Sequence, residues 1–197
     1  GSQYKLTDGV LETWAGILSG APNARLLLKN RALDDPSTRV SLRRRLEAFG
    51  VAAERADLEG GAPHAAFLKA YDRIDVALDT FPYNGGTTTT EALWQGVPVL
   101  TFAGDRWVGR TSQSLLLAAG LGEWVARDQE AYQQAAVALA LDPSSPARLA
   151  ALRAGLRAQL TGSAACDGAG LCRALEDFYR QLSAGRGGGT EQILAGL

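Results

Sequence analysis

The chain has 197 residues, 46% of them hydrophobic and 21% charged, with a formal net charge of −1. Such a composition can build its own apolar core, and a charge this near neutral excludes a general affinity for nucleic acid or acidic membranes, which needs a basic surface. No apolar run approaches the roughly twenty residues of a membrane span and no charged, apolar leader opens the chain, so no membrane partner is expected and the setting predicted is cytoplasmic.

Thr7 can cap a first helix whose apolar residues Val10, Leu11, Trp14, Ile17 and Leu18 fall at helical spacing, with Gly20 at its end. Arg25 to Lys29 is a short apolar run, the pattern of a strand buried on both faces. Pro36 to Phe49 reads as a helix closed by Gly50, Ala56 to Glu59 as a weak strand and Pro63 to Tyr71 as a short helix. Ile74 to Leu78 follows as a strand, Thr88 to Gln95 as a helix and Pro98 to Phe102 as another strand. The last third is helical, over Thr111 to Ala119, Gln129 to Leu141, Pro146 to Leu160 and Gly170 to Leu182. Residues 1–183 form the predicted domain, and residues 184–197, which open on a Gly-rich run, have the composition of a flexible tail.

Strands separated by helices and joined by short loops predict an α/β fold: a doubly wound, Rossmann-like parallel sheet with helices on both faces. Ligands of such sheets bind beyond the carboxyl ends of the strands. Lys29, the Gly61 to His64 loop, the Gly85-Gly86 loop and the Gly104-Asp105 loop should therefore emerge on one edge.

One of these loops carries chemistry. In LDTFPYNGGTTTTE, residues 78–91, an apolar run leads through Asn84, Gly85 and Gly86 into a helix that opens with four threonines. Unpaired N–H groups and the positive end of the helix dipole make such a start an anion site. Thr87 and Thr88 add hydroxyl donors, and two glycines remove Cβ atoms that would hold a phosphate off the backbone. Glu91, about one turn further on, is placed to accept hydrogen bonds from a diol, so phosphate and ribose together indicate a nucleotide. The structural alternative is a tight turn with an ordinary threonine cap.

The run Leu78 to Leu100, continued by TFAGDRWVGR at residues 101–110, resembles the nucleotide-sugar site of the O-GlcNAc transferase family, including its bacterial and Spindly-like members; a weaker likeness extends from Tyr4 to about Tyr179. The resemblance implies the C-terminal, donor-binding half of a B-type inverting glycosyltransferase. It implies UDP-GlcNAc as donor, a protein Ser or Thr hydroxyl as acceptor, and no cofactor or metal. GDP-fucose or UDP-glucose as donor, or a non-enzymatic nucleotide-binding or interaction module, are the alternative readings. The chain contains no methionine, which suggests part of a longer polypeptide whose N-terminal catalytic half and helical repeats lie elsewhere.

By the same resemblance Lys5, in Tyr-Lys-Leu-Thr, reaches the donor diphosphate. An ammonium there would stabilise the charge that grows on the leaving group, although a solvated lysine near a terminus is the plain alternative. Ala62 and His64 match the segment whose backbone reads the base. The family's stacking histidine is replaced by Phe67, which can stack or serve the core. Gly86 stands where some members carry a phosphate-contacting histidine. Arg110 is the better of two arginines to close over the diphosphate. Trp94 is expected beneath the site, and Asp79 and Asp105 are read as strand-end and turn residues. A lone histidine and two cysteines without paired spacing offer no metal site, and Cys166 and Cys172 are read as reduced.

Overall fold

The computed structural model describes residues 2–185. Thr7 accepts from the Val10 amide and starts α1 (Asp8–Gly20), whose Val10, Leu11, Trp14 and Ile17 turn inward at the predicted spacing. β1 (Leu26–Lys29) pairs in parallel with β2 (Ala56–Glu59), Leu26 opposite Ala56 and Lys29 opposite Glu59. Between them α2 (Pro36–Ala48) begins with Pro36 in its first turn and with Asp35 accepting from the Thr38 amide. The segment after β2 forms α3 (His64–Lys69), followed by a 3-10 turn at Ala70–Arg73.

A second parallel ladder holds β3 (Ala77–Leu78), β4 (Val99–Phe102) and β5 (Val125–Ala126), in that order. Between β3 and β4 runs α4 (Thr87–Trp94). It ends where Gly96 takes φ +78° and the Val97 amide reaches back to the Ala92 carbonyl, a left-handed turn that a Cβ would strain. α5 (Thr111–Ala118) joins β4 to β5, and α6 (Gln129–Leu141), α7 (Ser145–Thr161) and α8 (Gly168–Gly185) complete the chain. The remainder of the Gly-rich tail, residues 186–197, lies outside the described residues.

Val99, Leu100 and Thr101 are buried at successive positions, because α6 covers β4 on one side and α4 and α5 pack against it as well. One hydrophobic cluster contains Leu26 and Leu28 of the first ladder and Val99 and Leu100 of the second, together with Leu93, Leu116 and Leu156 from the helices. The expected sheet is thus realised as two parallel ladders around a shared core. The strand expected from Ile74 contracts to Ala77–Leu78, since Tyr71 and Ile74 give their carbonyls to the Arg153 guanidinium. β5, of two residues, was not predicted. A polar thread ties the core to the strand edge: the Trp14 indole N–H donates to the Tyr132 hydroxyl (2.9 Å), which donates to the Asp79 carbonyl (3.1 Å).

Candidate nucleotide site

Asp79 leaves β3 and folds back under the loop it begins. Its Oδ1 accepts from the amides of Thr80 (3.0 Å) and Gly85 (2.7 Å), and its Oδ2 accepts from the Thr101 hydroxyl on β4 (2.8 Å). Burial pushes this carboxyl above the usual range, opposed by the donors of Ser112, Gly85, Thr101 and Thr80. On the carbonyl side of Gly85, the Ser112 hydroxyl donates to the Gly85 C=O (3.1 Å) and also meets the Thr89 hydroxyl (2.8 Å). Asn84 is buried, with its side-chain N–H on the Thr80 carbonyl and its amide on the Val108 carbonyl.

The loop therefore enters α4 in a fixed attitude. Gly86 at the cap position supplies no side-chain acceptor, and none reaches the first turn from elsewhere among the described residues. The amides of that turn remain open for an anion. The Thr87 side chain is exposed and that of Thr88 half-buried.

The two glycines have different reasons. A Cβ on Gly85 would lie 2.4 Å from Thr89 Oγ1 and 3.2 Å from Asp79 Oδ1, so this glycine serves the loop's own packing. A Cβ on Gly86 would meet only Thr111 Cγ2, at 3.6 Å. The expectation that both keep Cβ atoms away from a phosphate is corrected for Gly85, whose missing Cβ points inward.

Lys5 arrives from the other end of the chain. The 3-10 turn Gln3–Lys5 is anchored by buried Leu6, whose carbonyl accepts from Arg45 (2.7 Å). This places the Lys5 ammonium on the Asn84 carbonyl (2.6 Å) and 3.9 Å from the centre of the Tyr83 ring.

Beside it, Ala62, Phe67 and Thr88 line a cleft of about 480 Å3 with Tyr4, Asn30 and Gly61. Phe67 packs against the core, edge-on to Tyr71 (6.1 Å), and also lines this cleft. A depression of about 580 Å3 on α2 is lined by Pro36 to Arg45 alone and includes no strand-end loop.

His64 is exposed, and its Nε2 lies 3.0 Å from Glu91 Oε1, so the residues expected at the base and at the ribose are paired across the opening. The Tyr71 hydroxyl donates to the Thr88 carbonyl (3.3 Å); burial, with a smaller contribution from Glu91, pushes its pKa up to about 12, which keeps it a donor.

Arg110 stands at the start of α5 with Nε on the Gly104 carbonyl (2.8 Å), which closes the 104–109 loop on itself, and the Asn84 amide on the Val108 carbonyl ties that loop to the one before α4. Lys29 does end a strand at the ligand edge, but it pairs with Glu59 (3.1 Å), as does Arg73 (2.8 Å). The Arg73 guanidinium, with Lys29, holds Glu59 down to about 2 against its partial burial. Trp94 does not sit beneath the site: it is 43% exposed, with the Arg157 guanidinium 5.1 Å from its ring. Asp105 is exposed. Cys166 and Cys172 are free thiols.

Sequence reasoning missed the fastening carried by Asp79, Thr101 and Ser112. The available signal was an aspartate directly after an apolar strand and six residues before a glycine; the partners on β4 and α5 left no local pattern.

This parallel α/β domain presents an uncapped helix start, a lysine and an aromatic-lined cleft beyond its strand ends, the place where ligands of such sheets bind. Residues 2–173 match the family model described as Glycosyl transferase family 41. The chain belongs to this family. It is 39% identical over 182 residues to SPINDLY of Arabidopsis thaliana, named a probable UDP-N-acetylglucosamine–peptide N-acetylglucosaminyltransferase, which covers 90% of this chain and 19% of that protein. The similarly named SEC of the same plant is 34% identical over 157 residues, 79% of this chain and 15% of the relative. Among solved structures, a mutant of the Thermobaculum terrenum O-GlcNAc transferase matches with TM-score 0.79 and 46% identity, over 88% of this chain and 33% of that one. The chain thus spans about a fifth of the length of its SPINDLY relatives and a third of the solved chain.

Proposed function

We propose that this chain is the donor-binding half of an inverting glycosyltransferase that moves GlcNAc from UDP-GlcNAc to Ser or Thr hydroxyls of proteins. The observation that carries the reading is the meeting of Lys5 with the Asn84 carbonyl at 2.6 Å, across 79 residues of sequence, beside the uncapped start of α4. A cation and a helix dipole aimed at one place are what a departing diphosphate requires.

In this reading the acceptor oxygen attacks the anomeric carbon as the bond from that carbon to the diphosphate oxygen breaks. The electron pair leaves with UDP, and the hydroxyl proton passes to a base or solvent on the acceptor side. Lys5, the first-turn amides and the hydroxyls of Thr87 and Thr88 stabilise the leaving charge without a resident cofactor. Glu91 turns from His64 to the ribose hydroxyls, Ala62, His64 and Phe67 hold the base, and Arg110 closes over the phosphates. The acceptor-binding side belongs to the rest of a longer polypeptide, in a cytoplasmic setting that keeps both cysteines reduced. UDP-GlcNAc is preferred over GDP-fucose and UDP-glucose because the SPINDLY and SEC relatives are named for that donor and a peptide acceptor.

A thermal-shift panel of UDP, GDP, UDP-GlcNAc, UDP-glucose and GDP-fucose tests this. A ligand at 100 times its Kd adds about 2.7 kcal/mol, so UDP and UDP-GlcNAc should raise Tm by roughly 5 to 10 °C in a chain of this size. A shift with GDP compounds alone would move the donor to GDP-fucose, and no shift with any ligand would favour the non-enzymatic interaction module.

A further inference from the structure

We infer that Asp79 is the positioning residue of the phosphate loop: it fixes the Gly85 peptide from below, so that the amides of the first turn of α4 face outward toward the donor diphosphate. The inference rests on the nucleotide-binding reading above and adds to it a residue that contacts no ligand.

A carboxylate directly under an anion site is costly, since it repels the charge the site must hold. Asp79 is 7% exposed and has no cationic partner among the described residues. Its compensation is geometric. One oxygen gathers the amides at both ends of the loop, Thr80 and Gly85, and the other is anchored by the Thr101 hydroxyl of the neighbouring strand. Two acceptor oxygens on one short side chain are what this bracket uses.

The two peptide groups that flank the Gly85 Cα are then both held, the N–H of Gly85 by Asp79 and the C=O of Gly85 by the fully buried Ser112 hydroxyl. The Asp79 carbonyl, in turn, is fixed by Tyr132. A loop held at both ends in this way keeps its donors in place before the ligand arrives, which reduces the ordering cost of binding. The bracket needs acceptor oxygens at this position, and the negative charge is not itself useful to the ligand.

That distinction supplies the test. In Asp79→Asn the amide oxygen can keep the Thr80 and Gly85 amides, while its NH2 faces a Thr101 hydroxyl free to rotate and accept. UDP affinity, measured by calorimetry, should stay near that of the unaltered chain or tighten. Asp79→Ala releases both amides, and UDP affinity should fall about tenfold or more, while uridine, which lacks phosphates, binds as before by competition. Ser112→Ala, a small deletion on the carbonyl side of the same residue, should weaken UDP in the same direction with uridine unchanged, and it decides the matter should Asp79→Ala not fold.

Equal losses for UDP and uridine, or full UDP affinity in Asp79→Ala or Ser112→Ala, would overturn the positioning role and leave these residues to stability alone. Loss in Asp79→Asn as large as in Asp79→Ala would overturn the bracket in favour of a role for the charge. If the unaltered chain binds no UDP, the nucleotide reading fails instead, an outcome separate from all of these.

Discussion

Lys5→Ala is expected to weaken UDP binding by about ten- to a hundredfold while changing UMP affinity little. The ammonium sits on the Asn84 carbonyl and over the Tyr83 ring at the rim of the loop, where the outer phosphate of a diphosphate would pass. Charge-assisted bonds of this kind contribute about 1.5 to 3 kcal/mol. The fold should be nearly unaffected, because Leu6 and the Arg45 bonds to Leu6 and Asp8 hold the N-terminal segment independently of the Lys5 side chain. Calorimetric titration of both nucleotides against both proteins checks this. Equal losses for UDP and UMP would place the lysine elsewhere on the ligand.

Phe67→Ala should produce two effects together. The ring is half-buried against Tyr71 and the core, so truncation should cost about 1 to 3 kcal/mol of stability, less than the about 3 to 5 kcal/mol of a fully enclosed phenylalanine. Its other face lines the cleft with Gly61 and Ala62, and loss of a stacking surface there should weaken UDP by about 1 to 3 kcal/mol, with ribose 5-phosphate binding unchanged. Denaturant unfolding of the apo protein and UDP calorimetry on the same preparation separate the two. An unchanged UDP affinity would leave Phe67 to the core, with base recognition carried by the Ala62 backbone and His64.

The elements most legible in the sequence were those whose determinants are local. Thr7 and Asp35 each cap the helix they precede, α6 has the bounds its periodicity predicted, and the apolar run at Val99 became the most buried strand. Where tertiary partners decide, the pattern was silent or misleading. Ile74 has strand composition, but its carbonyl is taken by Arg153 from α7. β5 is two residues long and exists only because β4 lies beside it. Trp94 is spaced like a buried helix residue, yet it lies on the outward side of α4, where Arg157 covers its ring.

The candidate site divides in the same way. Its helix start could be read from the Gly-Gly-Thr-Thr run, because helix geometry leaves the first amides without intrahelical partners, but the same run also fits a plain turn with a threonine cap, and the longer family likeness was needed to choose between them. The meeting of Lys5 with that loop came from the family likeness, since nothing in Tyr-Lys-Leu-Thr says where a side chain 79 residues away will land. The bracket under the loop could not be read, because Thr101 and Ser112 look like ordinary strand and helix residues until β4 and α5 pack beside β3. The pairing of His64 with Glu91 is equally hidden in the sequence, where 27 residues separate two side chains whose ring nitrogen and carboxylate meet at 3.0 Å.

The central claim is that a diphosphate binds at the start of α4, and the most direct measurement is the movement of backbone amide resonances as UDP is titrated into the isotopically labelled chain. The amides of Gly86, Thr87 and Thr88 should shift most, followed by those of Lys5, Gly61 and Ala62, with the outer face of α2 unmoved. Shifts concentrated at Pro36 to Arg45, or none at the α4 start under saturating UDP, would contradict the account.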